Sequence, residues 1–261
     1  MSMRKIWPGA VILAGLAISI SSPALAEAWT INWKASVAGI TIGTMQSNLT
    51  LNEKSYSING SVRTAGLAAA FAKFKGTVAV KGGRRSDGRI VPTSYFADQT
   101  RKSEREQISM RYKSGNVVGV SYEPEKVRSP SRLPITPKSL EGARDPASGL
   151  FLTMPMNMKN DLAEVCGRDV RLFDGNEVYD LRLSLVEIGG PAPSGITGPT
   201  VTCSARYVPV AGHNPDDRSI KRLQNNKSMR ITFARLGDTN AFVASRLSFR
   251  TGFGNLVVAA Q

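Results

Sequence analysis

The sequence predicts an all-β, mainly antiparallel protein: a single strongly curved sheet, an open barrel or β-spiral, with one or two short helices plugging its concave face. Three observations predict it. Apolar and polar residues alternate with period two in segment after segment, Gly, Pro and Asp-Gly turn signals interrupt the alternation, and only two stretches space their apolar residues as a helix does.

The alternation begins with Trp29, Ile31, Trp33, Ala35 and Val37 against Thr30, Asn32, Lys34 and Ser36, a strand with one buried and one wet face. Ile40 and Ile42 then occupy even positions but Met45, Leu49 and Leu51 odd ones. The phase slips near Gly43, where a β-bulge would let the strand bend. Tyr56, Ile58 and Val62, and further on Ile108, Met110 and Tyr112, alternate with polar neighbours in the same way. In the second half Val170 and Leu172 lead into Asp174-Gly175, a turn dipeptide, and Tyr179, Leu181, Leu183 and Leu185 follow as the second arm of a hairpin. Beyond a Pro- and Gly-rich loop over residues 189–199 come Val201, Cys203, Ala205 and Tyr207, then Met229, Ile231 and Phe233, then Val243, Leu247 and Phe249, and finally Leu256 and Val258. About eleven or twelve strands are expected in all.

Two stretches depart from this grammar. Leu67, Phe71 and Phe74 fall at i, i+4 and i+7 in an Ala-rich background, which predicts a short helix over residues 66–74. Asp145-Pro146 reads as an N-cap followed by Pro at the first helical position, with Leu150, Phe151 and Met154 behind it and Pro155 as the stop. Between them, residues 123–142 carry four prolines and several charges and read as a long surface loop. Neither half has enough strands to close a barrel alone, so one continuous sheet is expected, with the loop crossing its edge or mouth.

The amino terminus reads as a targeting segment. Arg4 and Lys5 precede an apolar run over residues 10–20, and Ala24, Leu25 and Ala26 make a small-x-small cleavage site. Such a run is roughly 16 Å long as a helix, about half of a ~30 Å hydrocarbon core. Residues 1–26 are therefore expected to be a signal peptide and residues 27–261 a single curved β-sheet domain. No Cys stands at the cleavage site to accept a lipid anchor, and no second apolar run reaches membrane-spanning length. The expected location is the periplasm, as a soluble protein.

The whole chain of 261 residues has 34 Lys and Arg against 20 Asp and Glu, a net charge of +14; removing the leader takes away only Arg4 and Lys5 and leaves +12. Its 41% apolar and 21% charged residues suit a globular protein with a sizeable core. One His and two Cys in the whole chain remove most metal, Cys-nucleophile and His-base chemistry. In an oxidising compartment Cys166 and Cys203 are expected to form a disulfide. Closing a loop of that length stabilises a fold by about 4 kcal/mol in the chain-entropy model.

The linear order of these features resembles the bacterial domain of unknown function 3108 family. The likeness is carried by the strand pair over residues 33–43, Tyr56 with the turn Thr64-Ala65-Gly66-Leu67, Ile90-Val91-Pro92 before Tyr95, and Asp145-Pro146-Ala147-Ser148. It continues in Phe173-Asp174-Gly175 with Tyr179-Asp180-Leu181, in Cys203 with Tyr207-Val208-Pro209-Val210-Ala211-Gly212, and in residues 249–256. The resemblance implies an exported, envelope-associated β-protein without an established activity, and it brings no catalytic residues. By fold alone it is also similar to periplasmic carriers that wrap a curved sheet around a helical plug.

No residue pattern points to catalysis, a cofactor or a metal. His213 stands in a Gly/Asn/Pro/Asp loop and reads as a turn residue; Asp216 and Asp217 lack the spacing and Gly of a Ca²⁺ loop; Ser148-Gly149 is no nucleophile elbow. The apolar helix residues Leu67, Phe71 and Phe74, with Phe151 and Met154, are candidates to line an apolar ligand groove, and Met156 and Met158 add adaptable surface nearby. Arg84, Arg85, Arg101, Lys102, Arg105, Lys126, Arg128, Arg132, Arg218, Lys221, Arg222 and Arg230 are spread along the chain; a convergence among them would favour anionic partners. The reading favoured is a non-catalytic binder of an anionic lipid, lipopolysaccharide, a lipoprotein or another envelope protein, with no nucleic-acid role, contributing to envelope maintenance. A structural or scaffold module of the envelope ranks next, and a hydrolase acting on envelope polymers ranks last.

Overall fold

The computed structural model describes residues 26–66 and 68–261, without the side chain of Phe71. The leader expected over residues 1–26 thus lies outside the described residues except for Ala26, and Leu67 lies outside them too. In chain order the strands are β1 Glu27–Val37, β2 Ile40–Leu51, β3 Ser55–Thr64, β4 Phe74–Arg84, β5 Ile90–Arg101, β6 Glu104–Lys113, β7 Asn116–Glu123, β8 Phe151–Thr153, β9 Asp169–Phe173, β10 Val178–Ile188, β11 Thr200–Ala211, β12 Arg230–Arg235, β13 Ala241–Thr251 and β14 Gly254–Ala260. Among the described residues three short α-helices, α1 Ala68–Phe71, α2 Pro146–Gly149 and α3 Arg218–Gln224, and two 3₁₀ turns, Met156–Met158 and Leu162–Val165, interrupt them.

All fourteen strands belong to one sheet, in the order β7-β6-β5-β4-β3-β2-β1-β14-β13-β12-β11-β10-β9, with β8 paired to β13 off this path. Every strand pairing is antiparallel. The period-two reading holds in detail: Ile31 and Trp33, Leu49 and Leu51, Tyr56 and Ile58, and Ile108, Met110 and Tyr112 are all buried while their neighbours are more exposed. The phase slip is real as well. Ala35 faces Gly43 but Ser36 faces Thr41, so Ile42 is the extra residue of a bulge.

The sheet does not close by strand pairing; it rolls until its two ends overlap. The turn between β9 and β10 rests on the inner face of β6 and β7, where the Tyr122 hydroxyl donates to the Gly175 carbonyl. Gly175 is required there twice over: its φ is +94°, and a Cβ would stand 2.8 Å from Ile108. The loop after β7 then straps the overlap. Arg128 donates to the carbonyls of Gly175 and Asn176 at 2.9 and 3.0 Å, Arg132 pairs with Glu177 at 2.6 Å, and Leu133 exchanges backbone hydrogen bonds with Gly212 and His213. The loop reaches the free edge of β9, where Arg144 accepts from Phe173 at 2.8 Å and donates to Arg171 at 3.0 Å. An edge that would otherwise offer unpaired backbone groups is covered.

Two cores result. One fills the roll made by the first half of the sheet; the other lies between β10 to β13 and the segment from Met154 to Cys166. β13 is buried on both faces, with Ala241 and Val243 in the first core and Phe242 and Ala244 in the second. The disulfide between Cys166 and Cys203 bolts the covering segment to β11, both sulfurs being fully buried.

The two expected helices are shorter than their spacing suggested. Only Ala68–Phe71 is helical in the first stretch, and Phe74 opens β4 opposite Arg101, its N–H held by the Thr64 hydroxyl at 3.1 Å. Four helical residues bury too little to compete with a ladder to β3 and β5. The second helix ends at Gly149, because residues 151–153 pair with β13 at Ala241 to Val243, where β14 no longer runs beside it. Backbone groups of β13 need that partner. Asp145 does cap α2, accepting from Ser148 N at 2.7 Å with Pro146 in the first position. α3, capped by Asp217, was not anticipated.

Replacing Cys166 and Cys203 together by Ser is expected to lower the unfolding free energy of the oxidised protein by about 4 kcal/mol, read from urea unfolding curves. Coincident curves for variant and wild type would show that the bridge contributes nothing.

Candidate functional site

The inner face of β1 to β5 and the α2 segment do not meet flush. Trp33, Met45, Ile58, Val62, Val78, Tyr95 and Ala97 form one wall of a slot, Ala147, Leu150 and Phe151 the other, and Phe74 closes one end. Its volume is about 160 Å³ and its lining is mainly apolar. The slot exists because of what the strand register brings together: Gly60 faces Val78 and Val62 faces Gly76, so two side chains are missing from the inner layer. Trp33 is held at the wall by its indole N–H, which donates to the Ala244 carbonyl at 3.1 Å. A dry cavity near 150 Å³ is known to accept a benzene-sized group, so the slot fits one ring, one branched side chain or the end of an acyl chain.

Of the residues proposed for an apolar groove, Phe74 and Phe151 line this slot. Met154 does not: it is 1% exposed in the second core, with its sulfur against the Arg168 guanidinium. Met156 is exposed beside Arg84, and Met158 packs on the second core. Leu67 and the side chain of Phe71 lie outside the described residues. The larger share of the lining comes from inward-facing strand residues. Their signal was the inward phase shared by Gly60 and Gly76, legible only once β3 and β4 are in register.

Behind the slot lies a polar knot. Asp145 Oδ1 accepts from Ser148 N, Ser148 Oγ lies 2.9 Å from the Tyr56 hydroxyl, and Asp145 Oδ2 finds no partner among the described residues. The Tyr56 ring lies across Gly82, where a Cβ would stand 2.1 Å from it. Burial pushes the Asp145 carboxyl above its usual range. Burial first, and the Asp145 charge second, push the hydroxyls of Tyr56, Tyr95 and Tyr112 well above theirs. Asp145 and Ser148 have no exposed surface, so neither touches a substrate from solution in this arrangement. A half-buried acid, Glu177, is tied to Arg132 and raised by burial. His213 is buried beneath residue 133, its Nδ1 without a partner among the described residues. Among the described residues no three His, Cys, Asp or Glu side chains group as a metal requires.

The outer faces are basic in patches. A polar groove of about 880 Å³ on β1 to β5 carries Lys34, Arg63, Lys75 and the Asp98–Arg105 pair. A shallow hollow beside α3 gathers Arg218, Lys221, Arg222, Lys227 and Arg250.

An open, rolled antiparallel sheet with a short plug and an apolar slot defines an all-β protein, an unclosed barrel of one sheet. The family model described as "Protein of unknown function (DUF3108)" matches residues 29–260, and the chain belongs to that family. No curated protein matches the chain. A solved structure similar to it is that of a beta-barrel-like protein of domain of unknown function DUF1849 from Brucella abortus, 11% identical, aligned over 92% of this chain and 97% of that one with a TM-score of 0.47.

The Asp145 shift has a sign. A carboxyl whose folded pKa is raised contributes stability that is complete below its unfolded value near ~3.9 and is lost as pH rises through the folded value. Asp145→Asn removes that loss, so the unfolding free energy of the variant relative to wild type is expected to climb between pH 4 and pH 8. A constant difference across that range, measured by urea unfolding, would refute a raised pKa at Asp145.

Proposed function

We propose that the protein is an exported, non-catalytic binder of the bacterial envelope that seats the apolar tip of a ligand or partner in the slot between β1 to β5 and α2. The single observation that supports this most is the slot itself: an apolar hollow of about 160 Å³ between the inner face of β1 to β5 and the α2 segment. Its size favours one apolar side chain or the end of an acyl chain over a whole lipid, since sites that enclose a complete small molecule run to ~300 Å³ and above. The disulfide and the leader-like residues 1–26 support export, and no helix among the described residues is long and apolar enough to cross a membrane. The family match leaves the activity open.

A second reading, a scaffold module, is favoured by one observation. β9 pairs with β10 only as far as Arg182, and beyond it Leu185, Val186 and Ile188 are exposed. A bulge at Val186 and the charge of Glu187 blunt this edge, which weakens the case for strand addition there.

The test is a titration with N-phenyl-1-naphthylamine, followed by displacement with dodecanoate. Saturable binding is expected, with Ala97→Leu, which fills the slot, binding at least tenfold more weakly at an unchanged fold by circular dichroism. Equal binding by the variant, or no saturable binding by wild type, would remove the slot as the site.

A further inference from the structure

Away from the slot, and sharing no lining residue with it, arginines from three stretches of the chain converge on one cleft. Two adjoining hollows of about 310 and 410 Å³ meet at Arg89, Glu141 and Arg144, which line both. Arg85 lines the first hollow, and Arg168 and Arg171 the second. The chain brings them from the turn between β4 and β5, from the residue before the Asp145 cap of α2, and from the entry into β9.

The charges in this cleft are unequally matched. Arg171 is held by Asp180 at 2.8 and 3.1 Å, Arg89 by Asp87, outside the lining, at 2.7 Å, and Asp169, which lines the second hollow with Asp180, faces Arg182 at 3.4 Å. Arg168 donates only to neutral acceptors, the Glu164 carbonyl and the Met154 sulfur. Arg85 and Arg144 make no side-chain hydrogen bond or ion pair among the described residues, nor does Glu141. Arg144 and Arg168 are half-buried. Burial, and the like charges around them, depress both guanidinium groups below their ordinary range. An arginine nevertheless stays charged, and a partly desolvated guanidinium without a counter-ion is a standing electrostatic penalty. Structures keep such a group where an anion completes it, because several N–H donors around one polyoxyanion form charge-assisted bonds.

We propose that this cleft is a binding site for a phosphate-type dianion, with Arg144 and Arg168 as its floor, Arg85 at its rim, and Glu141 as the acid that guards it. A dianion matches the unpaired positive charge, and the hollows on either side of Arg144 leave room for a group attached to the phosphate. The same chemistry is offered by free phosphate and by the phosphomonoester headgroup of a lipid. This inference does not rest on the apolar slot.

The experiment is calorimetric titration of the purified protein with sodium phosphate, against sodium chloride at equal ionic strength, with the thermal midpoint followed in parallel. Saturable binding of phosphate and a rise in midpoint absent with chloride are expected. Arg144→Gln, whose side chain gives up no native partner, should weaken phosphate binding at least tenfold while melting no lower than wild type in phosphate-free buffer. Glu141→Gln should tighten binding. Sedimentation with phosphatidylcholine vesicles containing phosphatidic acid separates the sources: pelleting of wild type but not of Arg144→Gln assigns a lipid headgroup, and phosphate binding without pelleting assigns the soluble ion. Phosphate acting no differently from chloride, or acting equally on wild type and Arg144→Gln, would overturn the proposal.

Discussion

The backbone pairing of Arg144 with the edge of β9 is the contact on which the rest of the site depends. A rolled sheet that does not close leaves two edges, and the inner one, β9, runs where partners for its N–H and C=O groups are scarce. Arg144 supplies both a donor and an acceptor to Arg171 and Phe173, and in doing so fixes where the chain enters the roll. Asp145 follows at once as the cap of α2, Leu150 and Phe151 then form the lid of the slot, and residues 151–153 join β13. A shift of this one pairing by a residue would reverse which side chains enter the interior.

The strands were legible where one face is buried and the other wet, because that contrast is what period two records. β1, β3 and β6 are the clear cases. β4 is poorly legible as a strand: Gly76, Gly82 and Gly83 carry no hydropathy, and Phe74 falls in phase with a helical spacing that the described chain uses for only four residues. The family resemblance rested on turn and strand residues distributed over the chain, and it held because those residues set the register that the fold needs. The disulfide is legible from the count of two Cys and the compartment that the leader-like amino terminus leads one to expect.

The site was less legible, for a physical reason. Slots and charge clusters are properties of register and of long-range overlap, not of local pattern. Phe74 and Phe151 were found by their apolar character, but Val62 and Gly76 become a wall only when β3 lies beside β4. Arg85 stood out as one of many scattered cations, whereas Arg144 and Arg168 did not stand out at all. Their meaning comes from the roll of the sheet, which brings the turn between β4 and β5 near the entry into β9, with Arg144 between them.

Arg144 and Asp145 are neighbours of opposite charge, yet they do not pair, and the reason joins the two halves of the site. Asp145 is extended, with φ −70° and ψ 158°, and successive side chains of an extended segment point to opposite sides. The carboxyl therefore turns inward to Ser148 and the tyrosines, and the guanidinium outward to the cleft. Burial opposes the charged form of both groups, and for Arg144 it outweighs the opposing charge of Asp145 across the backbone. The same extended geometry that anchors the plug thus leaves the outward charge to be answered from outside the chain. The buried knot of Asp145, Ser148 and Tyr56 lines neither the cleft nor the slot, and the two share no residue. Each hollow has its own chemistry, apolar on one side of α2 and cationic on the other.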